Sequence, residues 1–439
     1  MIEIGRHCNS RFWVPPELVE YDALSGDVNL DRTALPLSSE HIVFRRYGAL
    51  RRAANALNAL PTGSNVLAVV GASSSKAPQV CSMIEGLQSM EEPRVRLLDV
   101  RGHADHAIIR EGIDIARKTD AALVMAIGGG TTLDVGKAIA GLALQDGGSD
   151  IASFQLKKMS INPKQALPWI AVPTTSGTGS ESSNNAVVEL GEEKRSIRPI
   201  PPPFMILADP SLTDSLPFGP TVVSAIDALA QSLEVFTSAG APMGVQSVAL
   251  AAFLNLAEGL KALSCATERP ESDVRDRLCW GSLLMGIAFA HAHLGLPHAL
   301  VHHCLRFGLS HGNMVGILLA PGLEIQAAAD KETTKRLCKA EQALLALDQD
   351  DAFELEAIRE GMASNERCTV PDRLIEWLED LIDQLFTAAD LPTSLGSAGL
   401  TRCDLDWIAS NELESGASFG IPNRPATYGE IMEVLERAF

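Results

Sequence analysis

The sequence predicts an α/β N-terminal domain with a doubly wound, mostly parallel sheet, followed by an all-α C-terminal domain. Three observations carry this. Up to about residue 209, short continuous apolar runs alternate with stretches of helical spacing. Unbroken apolar runs of that length suit strands covered on both faces, and their alternation with helices suits a doubly wound sheet. Beyond residue 209 the texture changes to long Ala/Leu-rich segments with 3.6-residue spacing and almost no strand-like run. Finally, 439 residues exceed what one ordinary core organises.

In chain order, residues 1–41 are polar and irregular, with Pro15–Pro16 and few periodic apolar positions, and are expected to be an extension that packs as an arm. The α/β domain is placed at 42–214. It opens with a helix over 45–60 and a strand over 65–71 (NVLAVVG), then a second αβ pair with its strand at 95–100. Helical spacing over 105–119 leads to a strand at 121–127, a helix at 131–140 and a strand at 169–173. The helical domain is placed at 215–439, with segments at 224–238, 245–266 and 275–293, and with the acidic stretch 348–356 as a solvated connection.

Composition excludes several classes. A net charge of −19 argues against a nucleic-acid binder, which needs clustered Lys and Arg for phosphate. No run approaches 18 uninterrupted apolar residues, so no membrane span is expected. The N-terminus MIEIGRHC lacks the regions of a signal peptide, and the eight scattered cysteines, with no C-x-x-C pair, read as reduced thiols, so a cytoplasmic protein is expected.

Two places carry chemistry. Gly128, Gly129 and Gly130 follow an apolar strand and open a helix, where backbone N–H groups and the helix dipole favour a pyrophosphate; Thr131 and Thr132 add hydroxyls. Read alone, the three glycines are also what a tight strand-to-helix turn needs. Thr174, Thr175 and Thr178 lie on a loop leaving the strand at 169–173, the sheet end at which open α/β folds bind ligands. The second place is LPHALVHHCLRFGLSHGN at 296–313. His298 and His302 are four apart, so one helix face presents both, and His311 follows a Gly-containing break. Upstream, AIDALAQSLE holds Asp227 and Gln231, also four apart. A carboxylate and two imidazoles from separate helices make a three-ligand site with an open position, as catalytic zinc is held. Cys304 points away from the His298/His302 face.

MAIGGGTTLDVGKAIA at 125–140 and AVPTTSGTGSE at 171–181, followed by the Asp227 and His298–His311 segments, resemble the iron-containing (group III) alcohol dehydrogenase superfamily. That superfamily includes zinc glycerol dehydrogenases, maleylacetate reductases and, more distantly, dehydroquinate synthases. ADPSL at 208–212 and NRPAT at 423–427 extend the resemblance from about residue 42 to the C-terminus. It implies an NAD(P)-dependent oxidoreductase acting on a small alcohol or carbonyl substrate. Asp134, Lys137 and Lys194 would then border the cofactor, and Thr174, Thr175 and Thr178 would contact its adenosine and diphosphate side. Asp227, His298 and His311 would hold one divalent metal, Zn or Fe, and His302 would relay the proton.

Three departures matter. Gln231 stands where iron members have a fourth-ligand histidine, and the spacing from His298 to His311 is one residue short. A three-ligand zinc site and a metal-free, maleylacetate reductase-like site therefore both stay open, and a dehydroquinate synthase-like lyase or a non-catalytic nucleotide binder remain as alternatives. GASSSK at 71–76 lacks the acidic residue that many relatives place after the first strand. Ala72 and Ser73 would not repel a 2′-phosphate, which favours NADP(H). His303 is expected to face outward, and His291 and His293 either pack or shape the pocket. A homodimer or higher homo-oligomer is expected.

Overall fold

The computed structural model describes residues 2–4, 20–21, 28–29, 41–191, 193–265, 272–304, 307–308, 310–349, 371–415, 421 and 424–439. Two compact units divide the chain, with the boundary between Leu216 and Pro217.

In the first unit, the strands in chain order are β1 (Ile2–Ile4), β2 (Glu20–Tyr21), β3 (Val28–Asn29), β4 (His41–Phe44), β5 (Asn65–Gly71), β6 (Arg94–Val100), β7 (Ala121–Gly128), β8 (Trp169–Pro173), β9 (Ala186–Leu190), β10 (Glu193–Ile197) and β11 (Met205–Ala208). The helices are α1 (Ala49–Asn58), α2 (Pro78–Gln88), α3 (His106–Lys118), α4 (Gly130–Leu142) and α5 (Ile151–Gln155). Seven strands form one sheet in the order β1-β4-β11-β8-β7-β5-β6, and every pairing is parallel. The interior strands are buried along their length, as their unbroken apolar runs require. On one face, Val66, Ala68 and Val70 of β5 and Leu123, Met125 and Ile127 of β7 pack with Leu57 of α1 and Met83 and Leu87 of α2.

The strand order fixes where a ligand can enter. The connection from β5 through α2 leads to β6 on one side, and the connection from β7 through α4 leads to β8 on the other. The direction of winding thus reverses between β5 and β7, and the crevice beyond the carboxyl ends of such strands is the ligand site of open α/β sheets. Those ends are Gly71 and Gly128.

Several elements differ from the sequence reading. The first helix begins at Ala49 rather than residue 45, because the buried Asp209 carboxylate accepts from the N–H groups of Tyr47 (2.9 Å), Gly48 (2.8 Å) and Ala49 (2.9 Å). That holds the preceding residues as a turn, with Tyr47 at φ 57°. This is the structural role of the ADPSL motif. The hairpin β9–β10 and the short strands β4 and β11 had no counterpart in the sequence reading. Ile2–Ile4 of the N-terminal extension adds a parallel edge strand beside β4, while Pro15–Pro16 lie outside the described residues.

The second unit is helical: α6 (Phe218–Thr237), α7 (Met243–Ser264), α8 (Ser272–Phe289), α9 (Leu296–Cys304), α10 (His311–Ala329), α11 (Lys331–Gln349), α12 (Asp372–Ala388), α13 (Arg402–Ser415) and α14 (Tyr428–Arg437). α7 is long and apolar enough to cross a membrane by composition, but 78% of its apolar window is buried in the protein, as in a central core helix. Arg306 and most of the acidic 348–356 stretch lie outside the described residues. Cys338 in α11 is disulfide-bonded. This corrects the expectation of eight reduced thiols: pairing follows proximity in the fold, which scattered spacing does not reveal. Cys81, Cys265, Cys279, Cys304 and Cys403 form no disulfide.

Candidate active site

The first constellation lies at the carboxyl ends of β5, β7 and β8. Gly129 is the N-cap of α4, and no side chain caps the helix. The first N–H groups of α4, at the positive end of its dipole, are therefore available to an anion. The neighbouring glycines are required by close packing. A Cβ at Gly128 would meet Thr132 Oγ1 at 2.6 Å, and one at Gly130 would meet Thr178 Cγ2 at 2.7 Å. A Cβ at Gly71 would meet Thr132 Oγ1 at 2.7 Å. Gly129 is less constrained, its nearest neighbour being Thr175 Cγ2 at 3.2 Å.

The predicted threonines divide by role. Thr132 and Thr174 are buried. Thr132 sits between Gly71 and Gly128, while the Thr174 hydroxyl is 2.9 Å from that of Ser74, and its N–H donates to the Gly128 carbonyl (3.0 Å). Ser74 thus ties the end of β5 to the end of β8. Thr131 and Thr178 are exposed and Thr175 is half-buried, and the Thr178 hydroxyl accepts from the Ser180 N–H (3.3 Å).

Asp134 and Lys137 are placed differently from a surface pair. Lys137 is fully buried, and its ammonium donates to Ser180 Oγ (3.0 Å), Ser183 Oγ (2.9 Å) and the Asn185 carbonyl (2.7 Å). All three N–H donors are thereby used inside the protein. Asp134 accepts from the Ser180 hydroxyl (2.6 Å) and the Val187 N–H (3.2 Å). Burial pushes the Lys137 pKa down and the Asp134 pKa up, each opposed by the other's charge. Burial also lifts the Glu181 carboxyl to about 7. Asp134 and Lys137 together clamp the 178–187 segment to α4. Lys194 lies exposed on β10 opposite Glu189, and among the described residues no hydrogen bond ties it to the glycine run.

The second constellation belongs to the helical unit. Asp227, Gln231 and Glu234 share one face of α6 at i, i+4 and i+7, and all three are buried. Asp227, His298 and His311 each offer one ligand atom, and these atoms all lie within 4.8 Å of one another. His298 Nε2 is 3.1 Å from Asp227 Oδ1, and His311 Nε2 is 3.6 Å from the same oxygen. Gly312 allows this approach, since a Cβ there would meet the Val223 carbonyl oxygen at 2.3 Å; α10 therefore lies close enough to α6 to bring His311 in.

Glu234 is the functional residue that the sequence reading missed. It takes the other ring nitrogen, Nδ1, of His298, and its second oxygen accepts from the N–H groups of Gly295 (3.0 Å) and His298 (3.3 Å). The ring is fixed with Nε2 facing Asp227, as outer carboxylates orient metal-binding histidines. Burial would lower the His298 pKa, but Glu234 and Asp227 outweigh it and lift it to about 10. Burial would raise Asp227, yet the charges and hydrogen bonds of His311 and His298 hold it below the usual value. One carboxylate oxygen and two imidazoles, closed around a point, form a donor set that fits a divalent ion displacing the proton they share.

His302 is exposed one turn beyond His298, with its ring centroid 6.0 Å from that of His311. Cys304 is buried, donates to the Leu300 carbonyl (3.6 Å), and is pushed up to about 12 by burial. His303, expected to face outward, is instead half-buried with Nε2 2.9 Å from Glu412 on α13, because α13 covers that face of α9. Among the described residues, His291 and His293 are not in the donor group.

Family models match nearly the whole chain: iron-containing alcohol dehydrogenase over residues 39–210, and the family's C-terminal domain over residues 221–439. The chain is 27% identical over 335 residues to long-chain-alcohol dehydrogenase 1 of Geobacillus thermodenitrificans (strain NG80-2), covering 75% of this chain and 78% of the relative. It is 25% identical over 334 residues to the NAD-dependent methanol dehydrogenase of Bacillus methanolicus, covering 75% and 80%. Among solved structures, an alcohol dehydrogenase from Oenococcus oeni shares the fold with a TM-score of 0.74 at 23% identity, over 91% of this chain and 98% of that one.

Proposed function

The chain belongs to the iron-containing alcohol dehydrogenase family and is an oxidoreductase acting on CH–OH groups; from that premise we propose a metal-dependent, NAD(P)-linked enzyme interconverting a small alcohol and its carbonyl. The observation that carries the reading is the convergence of Asp227, His298 and His311, with Glu234 orienting His298. When bound, the nicotinamide supplies or accepts the hydride, and the divalent ion polarises the substrate oxygen. The chain's own residues do the rest. The first turn of α4 and the hydroxyls of Thr131, Thr175 and Thr178 hold the diphosphate. Asp227, His298 and His311 fix the ion, and His302 exchanges the hydroxyl proton of the alcohol with solvent from its exposed position.

Cofactor preference rests on the end of β5. Ala72 and Ser73 present no carboxylate to a ribose 2′-phosphate, so NADPH is expected to bind at least as well as NADH. Ala72→Asp is expected to move the preference toward NADH by ~1–3 kcal/mol, the scale of one charge-assisted hydrogen bond and one repulsion. Comparison of kcat/KM for both cofactors measures this, and a strong wild-type preference for NADH would contradict it.

The proposal is tested by elemental analysis of the purified protein together with NAD(P)H consumption across a panel of small aldehydes and ketones. About one Zn or Fe per chain, with turnover lost to chelators and restored by the ion, is expected. Full turnover in chelator-treated, metal-free protein would favour the metal-independent reading that Gln231 keeps open. No NAD(P)H consumption with any carbonyl would sink the hydride-transfer mechanism.

A further inference from the structure

We propose that Gln231 supplies a fourth, oxygen donor to the metal site, so that the ion sits in an Asp–Gln–His–His set; this rests on the metal-dependent reading above. Gln231 is 4% exposed and lies one turn from Asp227 on the same face of α6. Its amide helps hold the Asp227 carboxyl below the usual value by hydrogen bonding, which places it beside that ligand carboxylate. Asp227 as a carboxylate only accepts, so the amide N–H₂ is the donor, and the amide oxygen is the group left over. That oxygen, Oε1, is buried and has no hydrogen-bond partner.

A buried amide oxygen with nothing to accept is a costly arrangement, and most such groups in folded proteins are satisfied. An ion held by Asp227, His298 and His311 satisfies it directly. The amide then has one function at each end, the N–H₂ on the Asp227 carboxylate and the oxygen on the metal. An amide oxygen is neutral and harder than an imidazole. This donor set should therefore bind Zn²⁺ and Co²⁺ less tightly than one with a third histidine, and narrow their advantage over Mn²⁺.

The test is metal binding to the full-length protein, with no turnover involved. Apo protein is titrated with Zn²⁺ against a chromophoric chelator and with Co²⁺ by visible absorption, for wild type, Gln231→Leu and Gln231→His. Circular dichroism and thermal melting check that each variant is folded. Gln231→Leu is expected to weaken Zn²⁺ binding by ~10–100-fold, at least the cost of losing an outer-sphere partner, and to shift the Co²⁺ bands. Gln231→His is expected to tighten Zn²⁺ and raise the Zn²⁺/Mn²⁺ affinity ratio. If Gln231→Leu folds and leaves both the Zn²⁺ affinity and the Co²⁺ spectrum unchanged, Gln231 is not a ligand. If Gln231→Leu does not fold, Gln231→His decides: an unaltered Co²⁺ spectrum there overturns the proposal. If wild type binds neither ion, the metal-dependent reading itself fails, an outcome distinct from both.

Discussion

The glycine–threonine turn of the first unit and the histidine cluster of the second are held by opposite means. In the turn, backbone and small side chains make the site: Gly71, Gly128 and Gly130 leave no room for a Cβ beside Thr132 and Thr178. Of the charged residues of that region, Lys137 and Glu181 are buried and Asp134 is half-buried, and Asp134 and Lys137 form a clamp that holds a loop. In the cluster, three helices contribute one ionisable side chain each, and the backbone only sets their approach through Gly312 and Gly295. Substitutions in the first region should therefore act through shape and those in the second through charge.

The largest expected effect is at the centre of the cluster. Asp227→Ala leaves His298 and His311 without the shared carboxylate. Bound metal should be lost from purified protein and turnover should fall on the order of 10³-fold, matching the several kcal/mol that a Lewis-acid ion supplies. Retention of stoichiometric metal in this variant would remove Asp227 from the ligand set.

Glu181 tests whether the charges of the first region are structural. Burial raises its carboxyl from the ordinary 4.5 to about 7. Below pH 4.5 both folded and unfolded chains carry the proton. As pH rises from there through 7, the unfolded chain releases it first, so stability is lost across that window and stays lower above it. The loss is at most on the order of 3 kcal/mol. Glu181→Gln should flatten the pH dependence of thermal stability between 4.5 and 7 and melt higher than wild type at pH 8. Identical pH profiles for the two proteins would show that this burial has no consequence for stability.

His302 separates proton transfer from metal binding within the cluster. His302→Ala should keep its metal and its cofactor affinity while turnover falls by roughly 10²-fold, the lower end for general acid–base catalysis, because water reaches this exposed position. Near wild-type kcat would assign the proton to another group.

How much of each region was legible in the sequence follows from the same contrast. Parallel strands buried on both faces leave uniform apolar runs, so β5 and β8 appear with their observed limits, 65–71 and 169–173. β4 and β11 have four residues each, too few to stand out as runs, and β11 comes straight after a proline-rich crossing. The turn's residues are nearly contiguous, so their grouping is visible, but the inward direction of Lys137 is not, because its partners lie 43 to 48 residues away. Glu234 carried a readable signal, two turns from Asp227 on one helix face, yet its purpose depends on His298, 64 residues later. Ser74 was legible only as the absence of an acid, since its partner Thr174 is 100 residues on.

The smallest effect is the sharpest probe of the turn. Gly130 could be glycine because a ligand approaches its backbone or because Thr178 fills the space, and one substitution cannot separate these. Gly130→Ala puts a Cβ 2.7 Å from Thr178 Cγ2 and 2.8 Å from its Oγ1. The threonine side chain must move, and cofactor affinity should fall by about tenfold, or ~1.4 kcal/mol. Trimming the neighbour with Thr178→Ala in the same protein removes the clash. If packing alone sets the requirement, the double variant recovers to the affinity of Thr178→Ala, and the coupling between the two sites accounts for the loss. If the diphosphate lies against Gly130, the methyl group still obstructs it and the double variant stays weak. With the first turn of α4 holding the diphosphate, the second result is expected. Full recovery in fluorescence titrations with NADPH would move the diphosphate away from Gly130 and leave the glycine run as a device for packing alone.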